Sequence, residues 1–312
     1  MSKCLVLGAN GFIGSHLVDS LVARGHVVRA FDRFSDGKTI FEITDAVEIM
    51  SGDFLNRSDL ARALEDVDTV FHFISTTTPA TAENDPLIDV ETNIRMSIEL
   101  FQECVDKGVK KVIFASTGGA VYGDLPDRNI LSEDDATLPV SPYAIGKLTI
   151  EHYLRYFEKK FGLTSVTYRI SNPYGERQSM VAKQGVIPIF LHHIYKHEPI
   201  TVLGDGSMVR DYLYVKDVAE LISRSFESAS RPVYNLGSGT GVSVNGLIES
   251  IKEVTGQQIR IEHQPKPATF VQKVVLNTDR FKSEFNLEPE VSLDVGLRKT
   301  WDYIKNYEDS ID

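Results

Sequence analysis

Three tyrosines in this 312-residue chain are each followed, four residues later, by a lysine. On a helix this spacing places both side chains on one face. A nearby ammonium group favours the phenolate, so it lowers the tyrosine pKa from its usual value of about 10 and makes a base that can work near neutral pH. Spacing alone is weak evidence, because chance also produces such pairs. The pairs are Tyr143/Lys147, Tyr156/Lys160 and Tyr212/Lys216.

Position along the chain distinguishes the Tyr143 pair from the other two. A predicted strand ends at Ser116-Thr117, and the segment beginning Ser141-Pro142-Tyr143 is predicted to start a long helix, so a hydroxyl, a tyrosine and a lysine meet at one sheet edge. The Tyr156 pair lies further along that helix, where the simpler interpretation is that both side chains are exposed on the helix surface and have no catalytic role. The Tyr212 pair falls in a strand-like run, where this spacing builds no helical pair. Tyr143 and Lys147 are therefore the candidate catalytic pair.

A glycine-rich loop lies between the first apolar strand and the first predicted helix. Its glycines permit a tight turn, close approach of a pyrophosphate and close packing of helix on sheet. The helix N-terminus adds backbone amides and a favourable dipole. A turn without a ligand is the alternative interpretation, but the strand-loop-helix context favours a dinucleotide site. The predicted cofactor-binding residues of this loop are Gly8, Asn10, Gly11, Phe12, Ile13 and Gly14.

Two aspartates follow the next two predicted strands. Asp32 is placed to accept hydrogen bonds from an adenosine ribose, and its carboxylate would repel a 2′-phosphate. The sequence therefore predicts NAD rather than NADP, although the neighbouring Arg33 would suit a phosphate. Asp53 could meet the adenine amino group, or it could initiate the following helix.

Short apolar runs alternate with helical patterns, which is typical of βαβ units and a parallel sheet. The sequence predicts an α/β fold, a Rossmann-type doubly wound parallel sheet with a smaller interleaved C-terminal substrate domain. We expect residues 1–176 to form the cofactor domain, with 216–240 returning to it, and 177–312 to form the substrate domain. Strands are predicted at 4–7, 27–31, 47–51, 69–73, 111–115, 164–168, 233–236 and 274–277, and helices at 12–24, 58–64, 88–107, 143–161, 186–196, 216–228 and 293–303.

Composition restricts the possible partners. The hydrophobic fraction of 42% and the charged fraction of 25% are ordinary for a globular protein. A net charge of -11 without a basic stripe argues against nucleic acid or an anionic membrane as a partner. We expect no signal peptide and no membrane span. Cys4 and Cys104 lack metal-ligand spacing, so we expect no metal site and no disulfide framework, and a reducing cytoplasm fits.

These motifs, taken in order, resemble the extended short-chain dehydrogenase/reductase family, and within it the nucleotide-sugar branch. The resemblance runs from Gly8 to Gly239 and implies a tightly held NAD that is reduced and reoxidised in one cycle. It implies that Tyr143 removes the proton of the sugar 4-hydroxyl, while Thr117, or failing that Ser116, hydrogen-bonds the same oxygen. A homodimer through helices 88–107 and 143–161 is expected by resemblance. Further residues implied to bind the cofactor are Phe54, Phe73, Ser75, Asn93 and Tyr168.

Substrate contacts also follow from the resemblance. Asn172 matches a diphosphate-binding asparagine, Val186 begins a loop along the base, and Arg210 matches a phosphate-binding arginine. A salt bridge of Arg210 with Asp205 or Asp211 is the alternative. The family's Arg-x-x-Asp is absent before the 274–277 strand, where Pro267-Ala268-Thr269-Phe270 stands instead. Lys266 or Lys273 could take over its contacts.

The reaction is predicted from the residues just before Val121-Tyr122-Gly123. Related dehydratases carry an Asp-Glu pair there and decarboxylases a glutamate, whereas this chain has Gly119 and Ala120. The resemblance therefore implies a nucleotide-sugar 4-epimerase of the UDP-glucose/UDP-galactose type. A 4-keto-sugar reductase and a non-enzymatic dinucleotide sensor are the alternatives. His72, at the end of the fourth strand, is expected to be a core histidine.

Overall fold

The computed structural model describes residues 2–125, 127–180, 185–266 and 271–310. These residues form two compact units. The first consists of residues up to Thr117 together with Pro139–Arg169 and Ala219–Tyr234, and the second of Gly118–Leu138, Ile170–Val218 and the residues from Asn235 onward. Residues 118–138 and 170–176, expected in the cofactor domain, thus belong to the second unit, while 219–234 return to the first.

The strands, in chain order, are β1 (Lys3–Leu7), β2 (Val27–Asp32), β3 (Val47–Ser51), β4 (Thr69–His72), β5 (Lys111–Thr117), β6 (Thr164–Ile170), β7 (Asn172–Tyr174), β8 (Ile200–Leu203), β9 (Val209–Tyr214), β10 (Val233–Leu236), β11 (Gly241–Ser243), β12 (Ile261–Gln264) and β13 (Lys273–Val274). The α-helices are α1 (Phe12–Ala23), α2 (Arg57–Ala63), α3 (Pro79–Asn84), α4 (Pro86–Asp89), α5 (Arg95–Asp106), α6 (Pro142–Phe161), α7 (Val186–Tyr195), α8 (Val215–Ser225), α9 (Val244–Thr255), α10 (Asp279–Phe285) and α11 (Leu293–Asp309). A π-helical turn, Val90–Ile94, separates α4 from α5.

A seven-stranded sheet in the order β10-β6-β5-β4-β1-β2-β3 organises the first unit. The register of β1 with β2 and β4 is parallel, as is that of β4 with β5. The predicted Rossmann-type parallel sheet is therefore confirmed. The strand order reverses between β1 and β4, and ligands of such sheets bind at the carboxyl ends of the strands beside this reversal. The glycine loop follows β1 and therefore starts at the carboxyl end of a strand beside this reversal.

The central strands are apolar along their whole length because both faces of the sheet are covered. Residues Cys4 to Leu7 of β1 are completely buried. A core cluster includes Leu5 and Leu7 of β1 with Leu100 of α5 and Leu154 of α6. The returning segment packs on the same unit, where the Ser225 and Tyr168 hydroxyls lie 2.6 Å apart and the Phe226 and Phe71 ring centres 5.0 Å apart. Helix α6, which carries Tyr143 and Lys147, and its neighbour α5 are thus anchored by burial of apolar side chains.

The segment before α5 differs from the single helix predicted at 88–107. Two short helices, α3 and α4, precede the π-helical turn. Thr78 caps α3 by accepting from the Thr81 amide, and the Asp85 side chain caps α4 by accepting from the Leu87 amide. Each cap is followed by a proline at the first helical position, where the missing amide hydrogen costs nothing. The two N-caps and their prolines start separate short helices in place of one long helix.

The second unit has its own core and a small sheet in the order β11-β9-β13, with β7 also paired to β9. The core includes Phe190 of α7, Leu247 of α9 and Trp301 of α11. The strand predicted at 274–277 is shorter than expected, since only Lys273–Val274 pairs with β9, and Leu276 forms an isolated bridge to Leu131. Among the described residues, no helix is long and apolar enough to cross a membrane.

Candidate active site

The glycine loop is built by contacts that exclude side chains. Gly8 has a φ of +83°, and a Cβ there would lie 3.0 Å from the Ile74 backbone nitrogen. A Cβ on Gly14 would lie 2.0 Å from the Gly8 carbonyl oxygen, so α1 approaches the loop more closely than any side chain allows. No side chain caps α1 at Gly11, and its first amides, including those of Phe12 and Ile13, face the loop as donors for an anion. These features fit the pyrophosphate of a dinucleotide.

Asp32 lies at the end of β2, next to this loop. Its carboxylate accepts hydrogen bonds from the backbone amides of Asn10, at 2.9 Å, and Arg33, at 2.7 Å. The Asn10 side chain is held in turn by the Lys38 carbonyl and the Ile40 amide. The carboxylate is therefore fixed where the sequence places the adenosine ribose, while the Arg33 side chain is exposed.

Asp53 does not initiate α2. Its carboxylate accepts from the Leu55 amide within a turn, and the N-cap of α2 is Asn56, whose side chain accepts from the Ser58 amide. The alternative interpretation of Asp53 as a helix cap is wrong. Its predicted contact with adenine stays a prediction.

The other predicted cofactor residues divide between core and loop. Phe54 and Tyr168 are buried, the former 5.4 Å between ring centres from His72. Phe73 and Ser75 follow β4; Phe73 is half-buried and Ser75 is exposed, and the Ser75 hydroxyl donates to the Thr77 carbonyl. Asn93 is buried and donates its amide hydrogens to Thr77 and Asp89. Contacts of these residues with a cofactor stay a prediction.

Helix α6 positions Tyr143 and Lys147 at its beginning. Ser141 caps the helix and Pro142 occupies its first position, so Tyr143 lies in the first turn. The Lys147 amine donates to the Ala115 carbonyl oxygen of β5 at 3.0 Å and lies 4.8 Å from the Phe114 ring centre and 5.9 Å from that of Tyr143. The predicted convergence of α6 with the end of β5 is therefore present in the first unit.

The electrostatics differ from the sequence-based expectation. Burial, followed by the negative charge of Asp89, raises the pKa of Tyr143 to about 12 in the protein alone. Burial also lowers the pKa of Lys147 to about 8, although Asp89 and Glu151 oppose that change. The expectation that the lysine alone lowers the tyrosine pKa is thus wrong. Loss of water around the phenol outweighs one nearby ammonium group.

The two other tyrosine-lysine pairs behave as predicted from their positions. The Lys160 amine donates directly to the Tyr156 hydroxyl at 2.8 Å, and both side chains are exposed. Tyr212 lies in β9, where its buried hydroxyl has no hydrogen-bond partner among the described residues. Lys216 instead pairs with Glu176 at 3.1 Å. Direct contact therefore occurs in the surface pair, whereas the candidate pair is separated, with Lys147 buried and Tyr143 half-buried.

Ser116 and Thr117 have different surroundings although they are adjacent. The Ser116 hydroxyl is buried and donates to Glu151, which also forms a buried ion pair with Arg169 at 2.7 Å. Thr117 is half-buried, and no described residue forms a hydrogen bond with its hydroxyl. This geometry favours Thr117 over Ser116 as the residue that meets a substrate oxygen. Sequence reasoning missed the Glu151–Arg169 pair because the two residues lie 18 positions apart, on a helix and a strand whose packing the sequence does not show.

His72 is a core residue, as expected. Its Nε2 atom lies 2.8 Å from the Ser97 hydroxyl, while its buried Nδ1 atom has no partner among the described residues. Burial, assisted by the charge of Lys147, lowers the pKa of His72 to about 3, so the ring is neutral. A neutral histidine adds no competing positive charge beside Lys147.

The predicted substrate residues lie in the second unit. Asn172 donates its side-chain amide to the Asp211 carbonyl at 3.1 Å, and Val186 begins α7. The Arg210 guanidinium donates to the backbone carbonyls of Val209 and Val271, each at 2.8 Å. Burial lowers the pKa of this guanidinium.

The acidic partners proposed for Arg210 are engaged elsewhere. Asp211 accepts from Ser238 and from the Leu276 amide, and Asp205 accepts from Ser207. The salt-bridge alternative for Arg210 is therefore wrong. Lys266 donates to Gln272 and Lys273 to Asn129, while residues 267–270 lie outside the described residues.

The fold and the glycine loop define a dinucleotide-binding α/β protein. The family model described as "NAD dependent epimerase/dehydratase family" matches residues 4–237, and the chain belongs to this family. The resemblance deduced from the motifs is confirmed, and NAD is the cofactor.

Named relatives fall into more than one reaction class. A dTDP-4-dehydro-6-deoxyglucose reductase of Escherichia coli is 33% identical over 304 residues, covering 95% of each chain. The structure of a UDP-glucose 4-epimerase from Thermotoga maritima with UDP-glucose has a TM-score of 0.92 and 34% identity, covering 99% of this chain and 100% of that one. The structure of a UDP-glucose 4-epimerase from Thermus thermophilus in complex with NAD has a TM-score of 0.90 and 32% identity, covering 97% of this chain and 99% of that one. The family is thus established, while its members differ in reaction.

Proposed function

We propose that this chain is an NAD-dependent nucleotide-sugar 4-epimerase of the UDP-glucose/UDP-galactose type. The observation that carries the proposal is the hydrogen bond from Lys147 of α6 to Ala115 of β5, which brings the beginning of α6, with Tyr143, to the strand that ends at Thr117. Gly119 and Ala120 stand where related enzymes that eliminate or decarboxylate carry acidic residues. The Thermotoga maritima and Thermus thermophilus epimerases support the same reaction and a UDP-sugar substrate.

NAD, when bound, supplies a reversible hydride acceptor for C4 of the sugar. The glycine loop holds its pyrophosphate, and the Asp32 carboxylate holds the adenosine ribose. Tyr143 takes the proton of the sugar 4-hydroxyl and later returns it to the same oxygen. Thr117 hydrogen-bonds that oxygen. The 4-keto sugar turns before it is reduced on its other face, so the configuration at C4 inverts without net oxidation.

Lys147 contributes a fixed positive charge. Its hydrogen bond to the Ala115 carbonyl prevents the ammonium group from moving to solvent. Because burial raises the pKa of Tyr143, positive charges near the phenol are needed to stabilise the phenolate. Lys147 supplies one of them, and the nicotinamide cation is the second.

Nucleotide-sugar recognition is assigned to the second unit. The forked guanidinium of Arg210 can make charge-assisted hydrogen bonds with a diphosphate. Its backbone partners hold it in place without neutralising it. Asn172 and Val186 complete the proposed contacts with the diphosphate and the base.

A 4-keto-sugar reductase is the second candidate, and the Escherichia coli reductase favours it. The two reactions differ in electron balance, because reduction consumes one NADH per product whereas epimerisation consumes none. The test is incubation with a panel of UDP-, dTDP- and GDP-sugars, with the configuration at C4 read by NMR. Inversion without added NADH supports the epimerase. Stoichiometric loss of NADH with a 4-keto sugar, without inversion of any panel sugar, would contradict it.

We further infer a cytoplasmic homodimer formed through the helices near residues 86–106 and 142–161. Exposed apolar side chains on these segments support this inference, since monomers rarely expose contiguous apolar patches. These are Leu87, Ile145, Tyr153 and Tyr156.

A further inference from the structure

A buried carboxylate lies at the end of α4. Asp89 is only 3% exposed. Its Oδ1 atom accepts hydrogen bonds from the Thr77 hydroxyl at 2.6 Å and from the Asn93 side-chain amide at 2.8 Å. Both donors are neutral, and no lysine, arginine or histidine in the described part of the chain forms an ion pair with Asp89. The negative charge is therefore solvated by hydrogen bonds but not neutralised.

The other oxygen of this carboxylate faces α6 at Gly146. A Cβ on Gly146 would lie 1.9 Å from the Asp89 Oδ2 atom, so any side chain at this position would displace the carboxylate. Gly146 lies one residue before Lys147 and three after Tyr143, which places it on the same stretch of helix. The absence of a side chain at Gly146 thus brings the charge of Asp89 against the candidate catalytic pair.

The charged groups around the pair are few in the described structure. Glu151, one turn beyond Lys147, forms an ion pair with Arg169. His72, on β4, is neutral because it is buried. Asp89 is the acidic group that opposes ionisation of Tyr143, and together with Glu151 it favours the charged form of Lys147. The carboxylate therefore favours the protonated form of both Tyr143 and Lys147.

We propose that Asp89, seated against Gly146 by Thr77 and Asn93, is a positioning residue that biases Tyr143 toward its neutral phenol and Lys147 toward its ammonium form. Asp89 exchanges no proton itself and acts through its field. This inference rests on the proposed function only in that Tyr143 is the group that transfers the proton. Its negative field opposes the positive charges of Lys147 and the nicotinamide, so it limits how far they stabilise the phenolate that takes the sugar proton.

The test is the Asp89→Asn variant, in which an amide keeps the shape and an oxygen acceptor but removes the charge. The phenolate fraction of Tyr143 is followed by NMR of protein carrying tyrosine labelled at the ring carbon next to the hydroxyl, and its signal is assigned by its absence in Tyr143→Phe. Removing a nearby charge should lower the Tyr143 pKa by on the order of one pH unit, which is about tenfold more phenolate at a given alkaline pH.

Glu91→Gln is the matched control, since it removes the same charge from an exposed side chain two residues away and should leave the Tyr143 signal unchanged. Gly146→Ala provides a second perturbation, because its Cβ displaces the carboxylate and should shift the titration in the same direction by a smaller amount. An unchanged or raised Tyr143 pKa in folded Asp89→Asn protein would overturn the proposal. An equal shift in Glu91→Gln would do the same.

The titration needs no substrate, so it separates this inference from the proposed reaction. Absence of epimerisation together with a shifted Tyr143 titration contradicts the proposed function alone. In an active enzyme, the acidic limb of the kcat profile should move to lower pH in Asp89→Asn, which a purely structural role would not produce. If Asp89→Asn fails to fold, Gly146→Ala decides the question by the same titration.

Discussion

The Lys147 amine donates a hydrogen bond to the Ala115 carbonyl oxygen and lies 5.9 Å from the centre of the Tyr143 ring. The lysine is thus held by the strand, and no hydrogen bond joins it to the Tyr143 hydroxyl among the described residues. The exposed Lys160 shows the opposite arrangement, since it donates directly to Tyr156. A direct contact in water does little to a phenol, whereas a fixed charge in a desolvated place does more.

Replacement of Tyr143 by phenylalanine should reduce turnover by about 10²–10⁴-fold, the range for loss of a general acid-base group. NAD should still bind, because the glycine loop and Asp32 are untouched. Turnover is measured with the sugar on which the wild type acts, and bound NAD by its release on denaturation. Tyr156→Phe is the matched control and should keep full activity. Equal turnover of wild type and Tyr143→Phe would falsify the assigned base.

The variants Ser116→Ala and Thr117→Val should separate a structural role of one hydroxyl from a catalytic role of the other. Ser116→Ala removes one buried hydrogen bond to the Glu151 carboxylate, so the free energy of unfolding should fall by about 1.5–3 kcal/mol while kcat changes little. Thr117→Val keeps the shape but loses the hydroxyl, so kcat should fall by about a hundredfold with little change in stability. Urea unfolding and steady-state kinetics measure the two quantities. The opposite pattern would return the hydroxyl role to Ser116.

His72 should make stability depend on pH. Its folded pKa of about 3 lies below the ordinary value of 6.5, so the unfolded chain binds the extra proton between these values. Its contribution is complete above pH 6.5 and is lost as the pH falls toward 3, by at most about 1.4 kcal/mol per pH unit. His72→Phe, surrounded by aromatic rings, should lose less stability over this range than the wild type. Urea midpoints against pH measure the effect, with exposed His152→Gln as control; parallel curves for His72→Phe and wild type would contradict the prediction.

The double variant Ile145→Glu/Tyr153→Glu should be monomeric if α6 contributes to a homodimer, because two charges would be buried at the interface. Light scattering after size-exclusion chromatography measures the mass. Val295→Glu changes an exposed apolar residue of α11 in the second unit and should leave the mass unchanged. A wild-type protein that is already monomeric would rule out the dimer.

The sequence was sufficient where local chemistry decides structure. The strands Val47–Ser51 and Val233–Leu236 have the predicted bounds. The glycine-rich loop could also be predicted from the sequence. The structure of the segment from Thr78 to Ile94 could not be predicted, because its short helices depend on two side-chain caps and a π-helical turn that periodicity does not reveal.

The electrostatics of the site could not be read from the sequence, because they depend on residues far apart in the chain. Glu151 meets Ser116 across 35 positions. The contact between Asp89 and Gly146 likewise involves a residue type, glycine, whose role is visible only when the neighbouring carboxylate is seen. Burial of Tyr143, which reverses the predicted direction of its pKa, also depends on tertiary packing.

The return of residues 219–234 to the first unit has a consequence for chains that end before this segment, because the first unit is then incomplete. Strand β10 is the end strand of the large sheet next to β6, and Phe226 covers Phe71. A nascent chain that has emerged only to residue 176 therefore carries an unpaired strand edge and an uncovered aromatic patch. Such edges recruit other chains. An N-terminal fragment ending there is expected to aggregate more readily than the whole chain.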